Sequence, residues 1–352
     1  PSLKGWFQFD FAARNDAADA FIIIQNSSLI ETLEWNQSVR PHLGSNDPSL
    51  SEQWGLARIG APHAWQAVTG GDTVVAVIDT GIDYTHPDLA ANMWINPGEI
   101  PENGIDEDGN GYIDDVYGYD FGDSDSDPMD SWGHGTHVAG IIGAAGNNAM
   151  GGAGVNWQTR LMALKYASNF GGASLPHVAQ AIAYAVTQGA RVINASFGFF
   201  EYSALLKDAI ALAESAGVLV VTSAGNNAVN VDIVPQYPAA YTLSNILVVA
   251  ATEPDDTLWS GSNFGVASVH LAAPGAAIFS TLPSSGCLSC GDNFSGYGVL
   301  SGTSMATPFV SGAAALLLAQ QPSRDHLSLR HLLLSTTDPA PGARITGSGG
   351  RL

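Results

Sequence analysis

Thr73-Val74-Val75-Ala76-Val77-Ile78-Asp79 is a run of mostly β-branched residues closed by a carboxylate. A strand this apolar has no wet face, so it must be covered on both sides, as strands of a parallel sheet are. Similar runs recur at 161–165, 191–195, 218–222 and 246–251. Between them lie small-residue stretches with helical character, at 137–145, 177–188 and 204–216. Continuous apolar strands joined by helical crossovers predict an α/β fold: a three-layer, doubly wound, mostly parallel sheet with helices on both faces.

The surrounding composition fits that core and excludes several functions. The chain has 352 residues, of which 45% are hydrophobic, enough for one large α/β domain. Thirty-three acids against 12 bases give a net charge of −21, which argues against binding a phosphate backbone or an anionic membrane surface. No nucleic-acid or membrane partner is expected, and a monomer is. Residues 99–130 hold 12 acids and no Lys or Arg, so more than half of the net charge sits in one segment. Tyr112, Tyr117, Tyr119 and Phe121 are interleaved with those acids, which predicts a folded segment that needs counter-charge. The chain starts at Pro1 rather than Met, and an upstream piece is expected to have been removed.

Residues 1–44 read as a separate small β-α-β piece, and the polar joint Ser45-Asn46-Asp47-Pro48 marks a boundary, leaving 45–352 as the main domain.

In a parallel sheet, functional groups collect beyond the carboxyl ends of the strands. Asp79, Ser196 and Asn226 each follow an expected strand and so fall along one edge. Two further blocks open helices. Gly133-His134-Gly135-Thr136-His137-Val138-Ala139-Gly140 puts a histidine between glycines, expected to let a substrate backbone approach the imidazole. Gly302-Thr303-Ser304-Met305-Ala306-Thr307-Pro308 puts a hydroxyl in the positive field of a helix N-terminus, and Pro308, tolerable only near the first turn, places the helix start close to Ser304. His134 and His137 share a helix face, but no His-Glu-x-x-His pattern or third ligand supports zinc, so His137 is expected to be packed and structural.

Asp, His and Ser in that chain order form the subtilisin order of a catalytic triad. With Val77-Ile78-Asp79-Thr80-Gly81-Ile82-Asp83, the two helix-opening blocks closely resemble the three signature blocks of subtilisin-like serine proteases. The resemblance implies a secreted serine endopeptidase of broad specificity. Ser304 would be the nucleophile, His134 the general base and then acid, Asp79 its orienting partner and Asn226 the oxyanion donor. Gly171, Gly172 and Ala173 would form one wall of the cleft and Ser196, Phe197 and Gly198 the other, with polypeptide substrate lying between them as an added strand. Gln236 falls at the floor of the main specificity pocket, Tyr237-Pro238 at a family cis peptide, and Phe309 where the family usually has His. The N-terminal piece would be part of an inhibitory pro-domain, with processing near 44–46. Two other readings remain at this stage: an esterase or amidase using the same triad, and a catalytically silent calcium-dependent binding protein.

Calcium is the expected cofactor. Asp106, Asp108 and Asn110 with Gly111 follow the first half of an EF-hand loop, the Tyr112 carbonyl comes next, and Asp114 or Asp115 would close the shell. The resemblance implies a second calcium site from Asp47, Asp88 and Asn148 with main-chain oxygens near Met150 and Gly152. Cys287 and Cys290, the only cysteines, are too few for zinc, and in an exported protein are expected to form a short-range disulfide that pins a surface loop.

Overall fold

Alternate residues of the first strand, β1 (Gly70–Asp79), feed two different cores. Val75 and Val77 pack into one core, Ala76 and Ile78 into the other, and none of the four is exposed. This is the two-residue period of a strand covered on both faces. The computed structural model describes residues 44–169, 173–285, 287, 288, 290 and 296–352. The expectations for residues 1–43 and for Gly171 and Gly172 lie outside the described residues.

Two short helices, α1 (Trp54–Arg58) and α2 (Ala61–Ala64), precede β1. Then follow β2 (Gly118–Asp120), α3 (His134–Gly143), β3 (Gln158–Lys165), α4 (Leu175–Thr187), β4 (Val192–Ala195), α5 (Ala204–Ser215), β5 (Leu219–Ser223), β6 (Ile246–Thr252) and β7 (Leu271–Pro274). A hairpin, β8 (Ile278–Thr281) and β9 (Tyr297–Leu300), leads into α6 (Thr303–Gln320) and α7 (His326–Ser335), and two-residue strands β10 (Asp338–Pro339) and β11 (Gly350–Arg351) finish the chain. The main sheet runs β10-β11-β7-β6-β5-β4-β1-β3-β2 and is parallel except for β10 against β11. Residues of α3, α6 and α7 fill the core on one face, and residues of α4 and α5 fill the other. The expected three-layer α/β architecture is the one observed.

The five expected strands all form, within three residues at either end. Those that periodicity did not find are short or polar. β2 is three residues inside the acidic segment, and β7 is Leu-Ala-Ala-Pro. The acidic segment is folded, as its aromatics suggest: Tyr112 lies 4.6 Å from Tyr119 and 5.3 Å from Tyr184, centroid to centroid.

α6 starts at Thr303, close to Ser304 as expected, and Pro308 sits in its second turn. A proline there removes the N–H that would bond the Ser304 carbonyl. That carbonyl instead accepts from Ser196 Oγ at 3.0 Å, so the break in the helix ladder is filled by the neighbouring strand end.

Candidate active site

Register brings the strand ends together. Asp79 ends β1 opposite Lys165 of β3, while Val77 lies opposite Asn194 of β4, two residues before Ser196. Asp79 is buried, and its Oδ1 accepts from the Thr80 N–H (2.8 Å) and from His134 Nδ1 (2.6 Å). An imidazole bound to a carboxylate through Nδ1–H keeps its Nε2 lone pair outward. Burial disfavours the imidazolium, but the charge and hydrogen bond of Asp79, with the charge of Asp130, outweigh it and hold His134 above its ordinary value.

Asp130, which sequence reading missed, sets the start of α3. Its Oδ1 accepts from Thr80 Oγ1 (2.9 Å), Trp132 N–H (2.8 Å) and Gly133 N–H (2.9 Å), and its Oδ2 from the N–H and Oγ1 of Thr136 (2.9 and 2.7 Å). It therefore satisfies backbone donors at a helix start that has no partner within the helix itself. Burial still pushes its carboxyl up.

The glycines flanking His134 also meet a demand of packing. A β-carbon on Gly135 would collide with the Gly81 carbonyl and press on Asp79, and Gly133 has φ 96° and packs against two sulfurs. His137 is structural, as expected: it is fully buried, donates from Nε2 to the Ile278 carbonyl (2.9 Å), and burial pushes it down to about 3.

Ser304 lies one residue inside α6 and its Oγ donates to the Ser196 carbonyl (3.1 Å). Asn226 is exposed, and its Oδ1 accepts from both the N–H (2.9 Å) and Oγ1 (2.7 Å) of Thr303. Both bonds pin the carbonyl end of the Asn226 side chain. Thr303 is thus a second residue that motif reading passed over.

Phe197 is buried against Tyr166, ring centroids 5.2 Å apart, and Gly198 follows it beside Gln236. Gln236 is buried, donates from Nε2 to Asn227 Oδ1 (2.7 Å) and accepts at Oε1 from Asn263 Nδ2 (2.9 Å). Ala173 bridges Ala167. Tyr237-Pro238 is cis, and Phe309 is buried with its ring against Gly55.

The sequence profile of the subtilase family matches residues 70–349. The chain belongs to the subtilase family. It is 37% identical to thermitase of Thermoactinomyces vulgaris, over 87% of this chain and 96% of that protein. It is 36% identical to a thermophilic serine proteinase of Bacillus sp. strain AK1, over 93% and 71%. Among solved structures it is similar to a protease from Pseudoalteromonas arctica, with TM-score 0.71 and 29% identity over 88% of this chain and 96% of that one. This subtilase is a serine endopeptidase, and a silent binding protein or a mere small-molecule esterase is not the reading these relatives support.

Elsewhere in the subtilase, the acidic segment brings one carboxylate oxygen each of Glu99, Asp106 and Asp108 within 4.8 Å of one another. Glu99 carries no loop signature and was missed. Burial pushes its carboxyl up, although it accepts N–H groups from Glu107, Asp108 and Asp114. Asn110 donates to Asp108 and Asp115, and the Tyr112 N–H donates to Asn110 Oδ1. Asp114 accepts from the N–H groups of Asn103 and Gly104, and Asp115 from Tyr184 and from Asn96 and Asn110, both of which also donate to Asp108. At the other expected site, Asp47 and Asp88 are buried carboxylates. Asp47 accepts the N–H groups of Asn147, Asn148 and Ala149, and Asp88 accepts from Asn148 Nδ2 (2.7 Å) and the Tyr297 hydroxyl (2.8 Å). Asn148 Oδ1 in turn holds the Met150 N–H (2.9 Å), and Gly152 packs against Gln53. Cys287 and Cys290 form a disulfide. No helix among the described residues is long and apolar enough to cross a membrane.

Proposed function

We propose that this endopeptidase cuts through an acyl-enzyme formed on Ser304. The observation that carries the reading is the 2.6 Å contact between His134 Nδ1 and Asp79, which leaves Nε2 as the base. On substrate binding, Ser304 Oγ exchanges the Ser196 carbonyl for His134 Nε2 and attacks the scissile carbonyl as Nε2 takes its proton. Asn226 Nδ2 and the Ser304 N–H bind the developing oxyanion. His134 then protonates the leaving amine, and water repeats the sequence to release the acid. Asp79 stabilises the imidazolium through its contact with Nδ1. Ser304→Ala removes one hydroxyl and is expected to abolish both peptide hydrolysis and labelling by a fluorophosphonate probe. Persistent hydrolysis by a contaminant-free preparation defeats the assignment.

Substrate main chain would pair with 196–198 on one side and 171–173 on the other, which supports broad sequence tolerance with an apolar preference near Phe197. The anchored Gln236 amide fills the pocket floor and limits the size of the side chain before the cut.

Hard oxygen donors, like-charged and without a basic neighbour in residues 99–130, suit Ca²⁺. Glu99, Asp106 and Asp108 would hold one ion; Asp47, Asp88 and Asn148 would hold another. The ions would neutralise buried carboxylates and brace the fold, with no part in the bond chemistry. The disulfide and the secreted-type family resemblance support an extracellular enzyme. Residues 1–44 would be the remnant of an inhibitory pro-segment, removed near 44–46. N-terminal sequencing of active enzyme beside Ser304→Ala tests this, and a start at Pro1 in fully active enzyme would overturn it.

A further inference from the structure

The β8–β9 hairpin is bound along the helix that carries His134. Ser280 Oγ donates to the His137 carbonyl and Thr281 Oγ1 to the Thr136 carbonyl, each at 2.8 Å. In return His137 Nε2 donates to the carbonyls of Ile278 (2.9 Å) and Gly298 (3.3 Å). The first turn of α3 is therefore held to both strands of the hairpin.

The disulfide extends this attachment to the residues entering the helix. The Leu288 N–H, between the two cysteines, donates to the Ser131 carbonyl (2.8 Å). Both sulfurs lie against Gly133: a β-carbon there would stand 3.0 Å from Cys287 Sγ, 3.0 Å from Cys290 Sγ and 3.3 Å from Leu282 Cδ2. Gly133 is the residue immediately before His134. A bridge between cysteines only three positions apart closes so short a loop that it adds little to global stability. What it fixes is the position of two sulfur atoms on the backbone that carries the imidazole.

We propose that the Cys287–Cys290 disulfide is a positioning element for His134, and that it makes proteolysis reversibly sensitive to dithiols. Both cysteines are partly exposed, so a reductant can reach them. A dithiol thiolate attacks one sulfur, the S–S bond breaks, and the second thiol of the reagent resolves the mixed disulfide. The reagent is oxidised to its cyclic disulfide, and two electrons and two protons reach the protein as two thiols. Unbonded sulfurs need van der Waals separation, roughly 3.5–4 Å. Gly133 closes one side of both sulfurs, so part of the displacement falls on the backbone that carries His134. Misplacement of a reacting group by about 1 Å costs on the order of 10²-fold.

The inference rests on His134 being the base. The full-length enzyme is treated with dithiothreitol, its thiols are titrated, and kcat, KM and melting temperature are measured before reduction, after it and after reoxidation. With two thiols freed, kcat is expected to fall about fivefold or more, KM to change less than about twofold, and reoxidation to restore kcat. Cys287→Ser/Cys290→Ser should match the reduced enzyme and ignore the dithiol. An unchanged kcat with two thiols titrated overturns the proposal, as does a loss that only tracks unfolding or appears only in KM. A bridge that the dithiol cannot open overturns the dithiol sensitivity, and kcat of the double variant then decides the positioning role. Should that variant not fold, reduction of the intact enzyme decides it. His134→Ala separates the two readings: activity without the imidazole would remove the base assignment itself, whereas the bridge variants leave the imidazole in place.

Discussion

Lys165 Nζ lies 2.6 Å from Asp120 Oδ2, with 1% and 0% of the two side chains exposed, directly across the strand pair from Asp79. Lys165 also donates to Asn169 Oδ1 (2.8 Å), which accepts from Ser131 Oγ as well (2.8 Å). The pair thus fastens the edge strand β2 and the approach to α3 to the sheet. Burial pushes the Asp120 carboxyl up, against the hydrogen bond and charge of Lys165. Lys165→Met should therefore destabilise by about 3–5 kcal/mol, the cost of stranding a buried charge, and Lys165→Met/Asp120→Leu should recover most of it. Thermal or denaturant melting of the two variants checks this. Equal losses in both would show that packing, rather than the charge, is what matters.

Thr303 holds the amide of Asn226, the proposed oxyanion donor, through two bonds to its Oδ1. Thr303→Val keeps the N–H bond and removes the hydroxyl bond. The expected fall in kcat is about 3- to 10-fold, equivalent to about one hydrogen bond, with KM held. Asn226→Ala should cost on the order of 10²–10³ in kcat, a figure measured in subtilisin itself and carried over to this relative. A Thr303→Val enzyme as slow as Asn226→Ala would mean that the hydroxyl does more than orient.

The acid limb of the pH profile should report His134. Only the neutral imidazole accepts a proton, so activity rises as pH climbs through its folded value, which lies above the ordinary 6.5. The same shift has a stability consequence of opposite sign. The protonated ring stabilises the fold fully below its unfolded value, and that contribution is lost as pH rises through the folded value. Asp130→Asn removes one of the two charges that raise it, so the midpoint of kcat/KM should move down. His137, held near 3, does not titrate in this window. An upward shift in the Asp130→Asn enzyme would contradict the assignment.

Glu99 should reverse its effect with calcium. Its raised value means that the folded, metal-free protein resists its ionisation, so without a cation stability rises as pH falls through that window. Glu99→Gln is therefore expected to raise the melting temperature in chelator and to lower it in millimolar calcium, where the lost ligand weakens binding. Identical shifts in both buffers would rule out an ion at Glu99, Asp106 and Asp108.

The fold and the candidate triad were legible because both rest on local patterns. Five strands are continuous apolar runs, and Asp79, His134 and Ser304 each sit in a dense short motif. Thr303, Asp130 and Glu99 were not, for a common reason. Thr303 acts on a residue 77 positions away, and Asp130 and Glu99 are single acids that accept mainly from backbone N–H groups, which have no sequence signature. The sulfurs on Gly133 are a contact between residues about 155 apart, and no spacing encodes it. The donor that serves the carbonyl freed by Pro308, Ser196 Oγ, belongs to another element and could not be read from the motif.

The two ends of the main sheet have a consequence for how copies of this enzyme meet. One border is β2, three residues long and set among acids; the other is β10, two residues ending in Pro339. A border that is very short, charged or ends in proline cannot template a further strand. An enzyme that reads extended backbone is itself a substrate to its neighbours, and among the described residues neither border of the main sheet offers those neighbours a long strand to pair with outside the substrate cleft. Crowded solutions of this protease should therefore lose molecules to self-digestion at loops rather than to edge-to-edge fibrils.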